Sequence, residues 1–175
     1  MGSSTGLMGL LTQHQSNLLI PLFDLDDDLE EYKELVGAQG DTDGQSLRNY
    51  RREQHLLRKM LLDRRRIAQC GICGSSLPKD LLVAAHIKQR AKCSTEEKLD
   101  LPNIAMLMCD FGCDGLYEDG FIYVEEGTVK TRPMAGDPAA LRDKLVSLEG
   151  LTCNEWSEAR RGYFQWHRAN VSREY

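Results

Sequence analysis

The chain has 175 residues, which is enough for one domain with an extension but too few for two independent cores. No apolar run reaches the roughly 18 residues that a helix needs to cross a bilayer, so a membrane span is excluded. The formal net charge of -5 argues against a nucleic-acid partner, because phosphate binding needs a positive surface, but the charges are distributed unevenly.

The acidic residues are concentrated towards the N-terminus. Residues 21–43 hold nine acids and one base, whereas residues 44–66 hold eight bases and two acids. Residues 37–44, rich in glycine and aspartate, are typical of a flexible break. We therefore predict a flexible, acidic extension or linker over residues 1–44, which is a candidate docking segment for a larger protein or complex, and a folded domain over residues 45–175.

A basic amphipathic helix is predicted next, over residues 46–66. Its apolar side chains recur at helical spacing, and Ser46 is placed to cap it. Arginines fill much of the remaining surface, and of these Arg51 and Arg58 are candidates for contacts with nucleic-acid phosphates. The alternative is that these charges only keep the helix soluble.

Four of the six cysteines fall into two close pairs. Cys70 and Cys73 are separated by two residues, and Cys109 and Cys113 by three, which is typical of a structural zinc site with four thiolate ligands. Because no basic region precedes the first apolar residues, no secretory signal is expected. We therefore predict a cytoplasmic protein whose cysteines are reduced and bind metal.

Two strands with polar residues at their ends are predicted between the cysteine pairs. An apolar run over residues 81–85 leads into His86, and Asn103 precedes a second run over residues 104–108. A lone histidine after a strand is more often a packed or surface residue than a base. Its place between the cysteine pairs and ahead of Asn103 favours a catalytic role instead.

Positive charge is expected beside this histidine. Lys88 and Arg90 follow His86 closely in the sequence, so that a phosphate group of a nucleic acid bound beside His86 would meet two positive charges. These two residues are therefore further candidates for nucleic-acid binding.

The remaining elements follow the second cysteine pair. A short helix is predicted over residues 114–118, followed by a hairpin of residues 121–124 and 128–131. Two more helices are predicted over residues 138–148 and 156–171. The aromatic side chains of the last helix are expected to pack into the core.

The order of these residues resembles the HNH endonuclease family, in the branch that carries an Ala-Ala-His-Ile motif between cysteine pairs. The matching residues are Ala84, Ala85, His86, Ile87, Lys88, Asn103, Met108, Cys109 and residues 114–120. Upstream, the residues that resemble the family's first helix are Arg51, Gln54, Arg58, Leu61 and Leu62. Downstream, the Tyr-Phe-Gln-Trp-His run of residues 163–167 resembles the helix that closes many such domains.

The resemblance implies an α+β fold with a ββα-metal core and a structural zinc site, flanked by a basic N-terminal helix and C-terminal helices. It implies an endonuclease that hydrolyses DNA phosphodiester bonds, as the cutting module of a restriction or antiphage defence system. By the same resemblance, His86 is the general base and Asn103 orients it or its strand through the side-chain amide. Asp114 then binds a catalytic Mg²⁺ or Mn²⁺ ion.

One position departs from the commoner family pattern. Many relatives carry Asp or His just before the catalytic histidine as a second metal ligand, whereas this chain has Ala85. The catalytic metal is therefore expected to be held mainly by Asp114 and substrate oxygens, or by a further ligand. Asp110 and Glu118 are candidates for that ligand by proximity in the sequence.

A different class of function stays open from the sequence. The same fold could serve as a non-catalytic, zinc-stabilised module that binds nucleic acid or protein. The joint presence of His86, Asn103 and Asp114 favours catalysis, because a binding module has no need of all three.

Overall fold

The computed structural model describes residues 43–173 together with Glu30, Lys33 and Glu34, with side chains for those three residues and from Arg51 onward. In the N-terminal part, Lys33 Nζ lies 2.7 Å from Glu30 Oε1. The predictions that residues 1–44 are flexible and dock on a larger protein fall almost wholly outside the described residues.

The described chain is an α+β protein with three two-stranded antiparallel sheets. Its helices are α1 (Asp43–Leu62), α2 (Thr95–Leu99), α3 (Leu101–Ile104), α4 (Cys113–Glu118), α5 (Ala139–Leu148) and α6 (Arg161–Asn170). Its strands are β1 (Ile67–Gln69), β2 (Ser76–Pro78), β3 (Leu82–His86), β4 (Ala105–Cys109), β5 (Ile122–Glu125) and β6 (Thr128–Thr131). None of these helices combines the length and apolar character that a bilayer span requires.

Helix α1 packs its leucine-rich face against the sheet of β3 and β4. Leu57 is fully buried, and Leu56 and Leu62 are nearly so, which confirms the apolar stripe that the sequence predicts. The helix ends at Leu62, earlier than predicted, because Asp63 and Arg64 adopt left-handed backbone conformations with φ of 44° and 60°.

The start of α1 also differs from the prediction. The backbone is already helical at Asp43, so Ser46 lies within the first turn of the helix and not at its cap. The helix therefore crosses the predicted boundary between extension and domain. Where the folded domain begins stays a prediction.

Strands β3 and β4 form the central pair and confirm the two predicted strands to within one residue. Their register places Leu82 opposite Cys109 and His86 opposite Ala105. All five residues of β4 are buried, as its continuous apolar run predicts. Helix α4 follows β4 in the predicted order and packs against it, and both elements contribute to the one hydrophobic core of the described residues.

A short hairpin, formed by β1 and β2, precedes the central pair in a segment where the sequence predicted no strand. Ile67 pairs with Pro78, and Gln69 with Ser76. Strands of three residues are too short to show a period in the sequence, which is why the prediction missed them. The first cysteine pair lies in the loop of this hairpin.

The C-terminal half follows the predicted order. Strands β5 and β6 form the expected hairpin, and α5 begins directly after Pro138 as predicted. Helix α6 is shorter than predicted, because the chain is extended at Ser157 and forms a 3₁₀ turn at Glu158–Arg160 before α6 starts. Tyr163 and Phe164 are buried, so the expected packing of these aromatic side chains is confirmed.

His167, on the buried face of α6, is held without charge. Its ring stacks on Tyr117 with centroids 3.7 Å apart, and its Nε2 donates to the Tyr117 carbonyl oxygen at 2.8 Å. Its Nδ1 atom is buried and has no hydrogen-bond partner among the described residues. Burial lowers the pKa of His167 to about 4, because the surrounding side chains cannot solvate an imidazolium.

This depressed pKa predicts a loss of stability in mild acid. The unfolded chain binds a proton at an ordinary pKa of 6.5 and the folded chain only near 4, so the contribution of His167 is complete above pH 6.5 and is lost as the pH falls towards 4. At pH 5 the free energy of unfolding is expected to be lower than at pH 7 by about 2 kcal/mol from this residue. Urea unfolding at both pH values measures the loss.

The matched variant for this test is His167→Gln, which keeps a donor for the Tyr117 carbonyl oxygen but does not titrate. Its loss of stability between pH 7 and pH 5 should be smaller than that of the wild type. Both proteins carry the same cysteines, so proton competition at the thiols cancels in the comparison. An equal loss in both proteins would contradict the assignment to His167.

Candidate functional site

Four cysteine sulfurs converge at the junction of the β1–β2 hairpin, β4 and α4. The sulfurs of Cys70, Cys73, Cys109 and Cys113 all lie within 4.8 Å of one another, and those of Cys73 and Cys109 are 3.9 Å apart. A tetrahedral zinc ion with bonds of about 2.3 Å to sulfur requires sulfurs about 3.8 Å apart. The four-cysteine group, which the sequence predicts, could therefore hold a metal ion such as zinc.

Backbone N–H groups are aimed at two of these sulfurs. Those of Ile72 and Cys73 donate to the Cys70 sulfur, and those of Phe111 and Cys113 donate to the Cys109 sulfur, which favours the thiolate form at each position. Gly112 supplies the left-handed turn, with φ of 109°, that the second loop requires. Both loops are therefore shaped to hold thiolates.

The sulfurs also act on one another. The Cys113 and Cys70 thiols donate to the Cys109 sulfur, which lowers the pKa of Cys109 far below its usual range. The same hydrogen bonds raise the pKa of Cys70 to about 11, and that of Cys113 further. A divalent cation among the sulfurs would replace these shared protons and release them.

A cleft of about 460 Å³ opens on the other side of the β3–β4 pair and α4. His86 from the end of β3 and Asp114 from the first turn of α4 both line it. Its polar lining also includes Gln54 from α1, Glu118 from the end of α4, Gln89, Arg90, Tyr117 and His167. Two of the three predicted catalytic residues are thus brought to one cavity.

His86 is held by a carboxylate that the sequence reasoning missed. Its Nε2 atom lies 2.8 Å from Glu53 Oε1, and the side chain of Glu53 is fully buried. Arg90 Nε donates to the other oxygen, Oε2. The sequence contains one indication of this role. Glu53 lies three and four residues before Leu56 and Leu57, which places an acidic residue on the apolar face of α1.

Asp114 carries a half-buried carboxylate with no hydrogen bond or ion pair among the described residues. Burial raises its pKa, and the neighbouring acids Glu118 and Asp110 raise it further. It does not cap α4, because the cap position is Gly112 and no side chain accepts a bond there. Neighbouring carboxylates supply the oxygen ligands that Mg²⁺ or Mn²⁺ prefers.

The structure places the side chain of Asn103 away from His86. Asn103 lies on the short helix α3, and its amide donates to Asp100 Oδ1 at 2.8 Å. Asp100 in turn accepts a bond from the Tyr163 hydroxyl at 2.7 Å. Here the amide fixes the segment that leads into β4, and a role of Asn103 in the reaction stays a prediction.

Three of the four predicted nucleic-acid contacts are engaged within the fold. Lys88 lies 2.6 Å from Glu97 and only 9% of it is exposed, and Arg58 donates to the carbonyl oxygens of Lys79 and Leu82. Arg90 is held by Glu53, as described above. Arg51 is exposed on α1.

The resemblance to HNH endonucleases rests on the residues of this chain alone. A scan against protein-family models found no match, and neither did a search of the curated proteins.

Proposed function

We propose that this protein is a metal-dependent endonuclease of the HNH type that hydrolyses phosphodiester bonds in DNA. The observation that carries the proposal is that His86 and Asp114, which come from two different elements, line one cleft. The arrangement of β3, β4 and α4 supports it, because the family's ββα core has the same order of elements. By the same resemblance, the protein would act in the cytoplasm as the cutting module of a restriction or antiphage system.

His86 would be the general base. Hydrolysis of a phosphodiester requires that a water molecule lose a proton as it attacks phosphorus, and histidine titrates near neutral pH. The histidine lies at the end of a strand inside the cleft, with only 10% of its side chain exposed. It is therefore accessible from the cleft while its ring is fixed by the fold.

Asp114 and Glu118 would hold the catalytic Mg²⁺ or Mn²⁺ ion. They lie one helical turn apart on α4 and line the same cleft, whereas Asp110 is exposed outside it. The bound ion would supply Lewis-acid chemistry at the scissile phosphate. The four cysteines would hold a separate, structural zinc ion, because four thiolates leave no open position for a substrate.

Nicking of supercoiled plasmid DNA tests the proposal. Purified protein is incubated with Mg²⁺, with Mn²⁺ or with EDTA, and zinc content is measured in each sample so that loss of the structural ion is recognised. We expect nicking with Mg²⁺ or Mn²⁺ and none with EDTA. Binding of DNA without nicking under every condition would favour the non-catalytic binding module instead.

Asp114→Asn is expected to slow nicking on the order of 100-fold at low metal, because it removes the ligand charge. Higher Mn²⁺ should restore part of the rate by mass action, and Asp114→His should retain some activity, since imidazole also binds Mn²⁺. Asp119→Asn is the matched control, an exposed aspartate that follows the same helix. A wild-type rate for Asp114→Asn at every metal concentration would place the metal elsewhere.

A further inference from the structure

The buried carboxylate of Glu53 is the least expected group in the molecule. It lies on the apolar face of α1 beside Leu56 and Leu57, and its side chain is fully buried. A buried charge is costly unless it is paired and hydrogen-bonded. One of its oxygens contacts His86, at the end of β3, and the other contacts Arg90, four residues further along the chain, and both of these residues line the cleft.

One oxygen of Glu53 determines the chemical form of His86. Oε1 accepts from His86 Nε2 at 2.8 Å, so the ring proton lies on Nε2. Nδ1 then keeps its lone pair, which faces the Gln54 amide nitrogen at the long distance of 3.5 Å. A lone pair so weakly engaged, on a ring that lines the cleft, can accept a proton from water.

The other oxygen of Glu53 fixes the carboxylate itself. Arg90 Nε donates to Oε2, and Arg90 also lines the cleft. Burial alone raises the pKa of Glu53, but the hydrogen bonds from His86 and Arg90 outweigh it and hold that pKa below its ordinary value. The carboxylate is therefore ionised at neutral pH.

We propose that Glu53 is a positioning residue for the base: it holds His86 as the Nε2–H tautomer, in the ring orientation that presents Nδ1 to the attacking water. This inference rests on the proposed endonuclease function. The proton moves from water to Nδ1, and the bond from phosphorus to the new oxygen forms as the bond to the 3′ oxygen breaks. The 3′ oxygen takes its proton from solvent, and Glu53 stabilises the imidazolium without becoming protonated.

The first readout is a property of the resting protein. With ¹⁵N-labelled histidine, the wild type should show an exchange-protected ring proton on Nε2 of His86. His167 also donates through Nε2, so the His86 signal is assigned by its absence in His86→Gln. In Glu53→Gln the His86 signal should shift strongly or disappear, because the charged acceptor is gone.

The second readout is the rate of cleavage. Glu53→Gln, which conserves side-chain volume, should slow single-turnover cleavage on the order of 100-fold while DNA affinity stays within about twofold of the wild type. Glu53→Asp should recover part of the rate, since it restores the charge. The control is Asp137→Asn, which alters another fully buried carboxylate, paired with Arg173 and not with a histidine. It should keep both the His86 signal and the rate, even if its melting temperature falls.

The outcomes separate this inference from the proposed function. A ring proton on Nδ1 of His86 in the wild type, or a wild-type cleavage rate in Glu53→Gln, would overturn the inference, and the first of these requires no variant to fold. If the wild type cleaves no DNA, yet the Nε2 proton is present and depends on Glu53, the endonuclease assignment falls and the positioning of His86 by Glu53 stands.

Discussion

His86→Ala is expected to abolish DNA cleavage, with a loss on the order of 100-fold to 10,000-fold in the single-turnover rate. The reason is that His86 lines the cleft from the end of β3, whereas the other histidine of the lining, His167, is buried and stacked on Tyr117. Zinc content and DNA affinity should stay close to those of the wild type, because the histidine lies outside the four-cysteine cluster. Quenched single-turnover assays, with DNA binding measured in parallel, provide the comparison.

The substitution should also lower stability, and this effect has to be distinguished from a loss of catalysis. His86→Ala leaves one oxygen of the buried Glu53 without its donor, so the melting temperature should fall. The assay is therefore run well below the melting temperature of the variant. His55→Ala, at an exposed histidine of α1, is the matched control and should cut at the wild-type rate. Near-normal cutting by His86→Ala would mean that the base has been misassigned.

Cys70→Ser is expected to unfold the region around the four-cysteine cluster and not merely to slow catalysis. Binding of structural zinc contributes on the order of 10 kcal/mol to the free energy of folding of small domains. This is comparable with the whole free energy of unfolding of a typical domain. Cys70, Cys109 and Cys113 are buried, and they connect the β1–β2 hairpin to β4 and α4.

Elemental analysis and thermal melting check this expectation. Wild-type protein purified without chelator should contain one zinc ion per chain, and Cys70→Ser should contain none and melt at a much lower temperature. Cys153→Ser, at a buried cysteine outside the cluster, is the matched control and should keep its zinc. Zinc-free wild-type protein, or an unchanged melting temperature for Cys70→Ser, would rule out a structural zinc site.

The sequence could predict the parts of the site that depend on local pattern. The spacing of the cysteines predicted the cluster, because each pair lies in one short loop whose geometry is set by a few residues. The apolar runs before His86 and after Asn103 predicted β3 and β4 to within one residue, since a continuous apolar run of about five residues has the length of a buried strand. Helix α4 was likewise predicted from the local sequence of residues 114–118.

Pairings between distant residues could not be predicted in the same way. Glu53 and His86 are 33 positions apart, and only the packing of α1 on the β3–β4 sheet brings them together. Lys88 was expected to meet phosphate, but a glutamate nine positions later, Glu97, occupies its ammonium group. Asn103 was expected to orient His86 or its strand, and in the structure its amide donates to Asp100, at the start of the short helix α3.

By itself, then, the sequence determined which elements form and which residue types meet in the cysteine cluster, because periodicity and loop spacing act over a few residues. The tertiary structure decided which charged side chains have a hydrogen-bond or ion-pair partner within the fold and which do not. A buried carboxylate or ammonium group takes whatever partner the packing brings within 3 Å or so, and that choice leaves no trace in local spacing. For this reason Asp114 has no side-chain partner for its carboxylate among the described residues of the cleft, while Arg90, a predicted phosphate contact, donates to the buried carboxylate of Glu53.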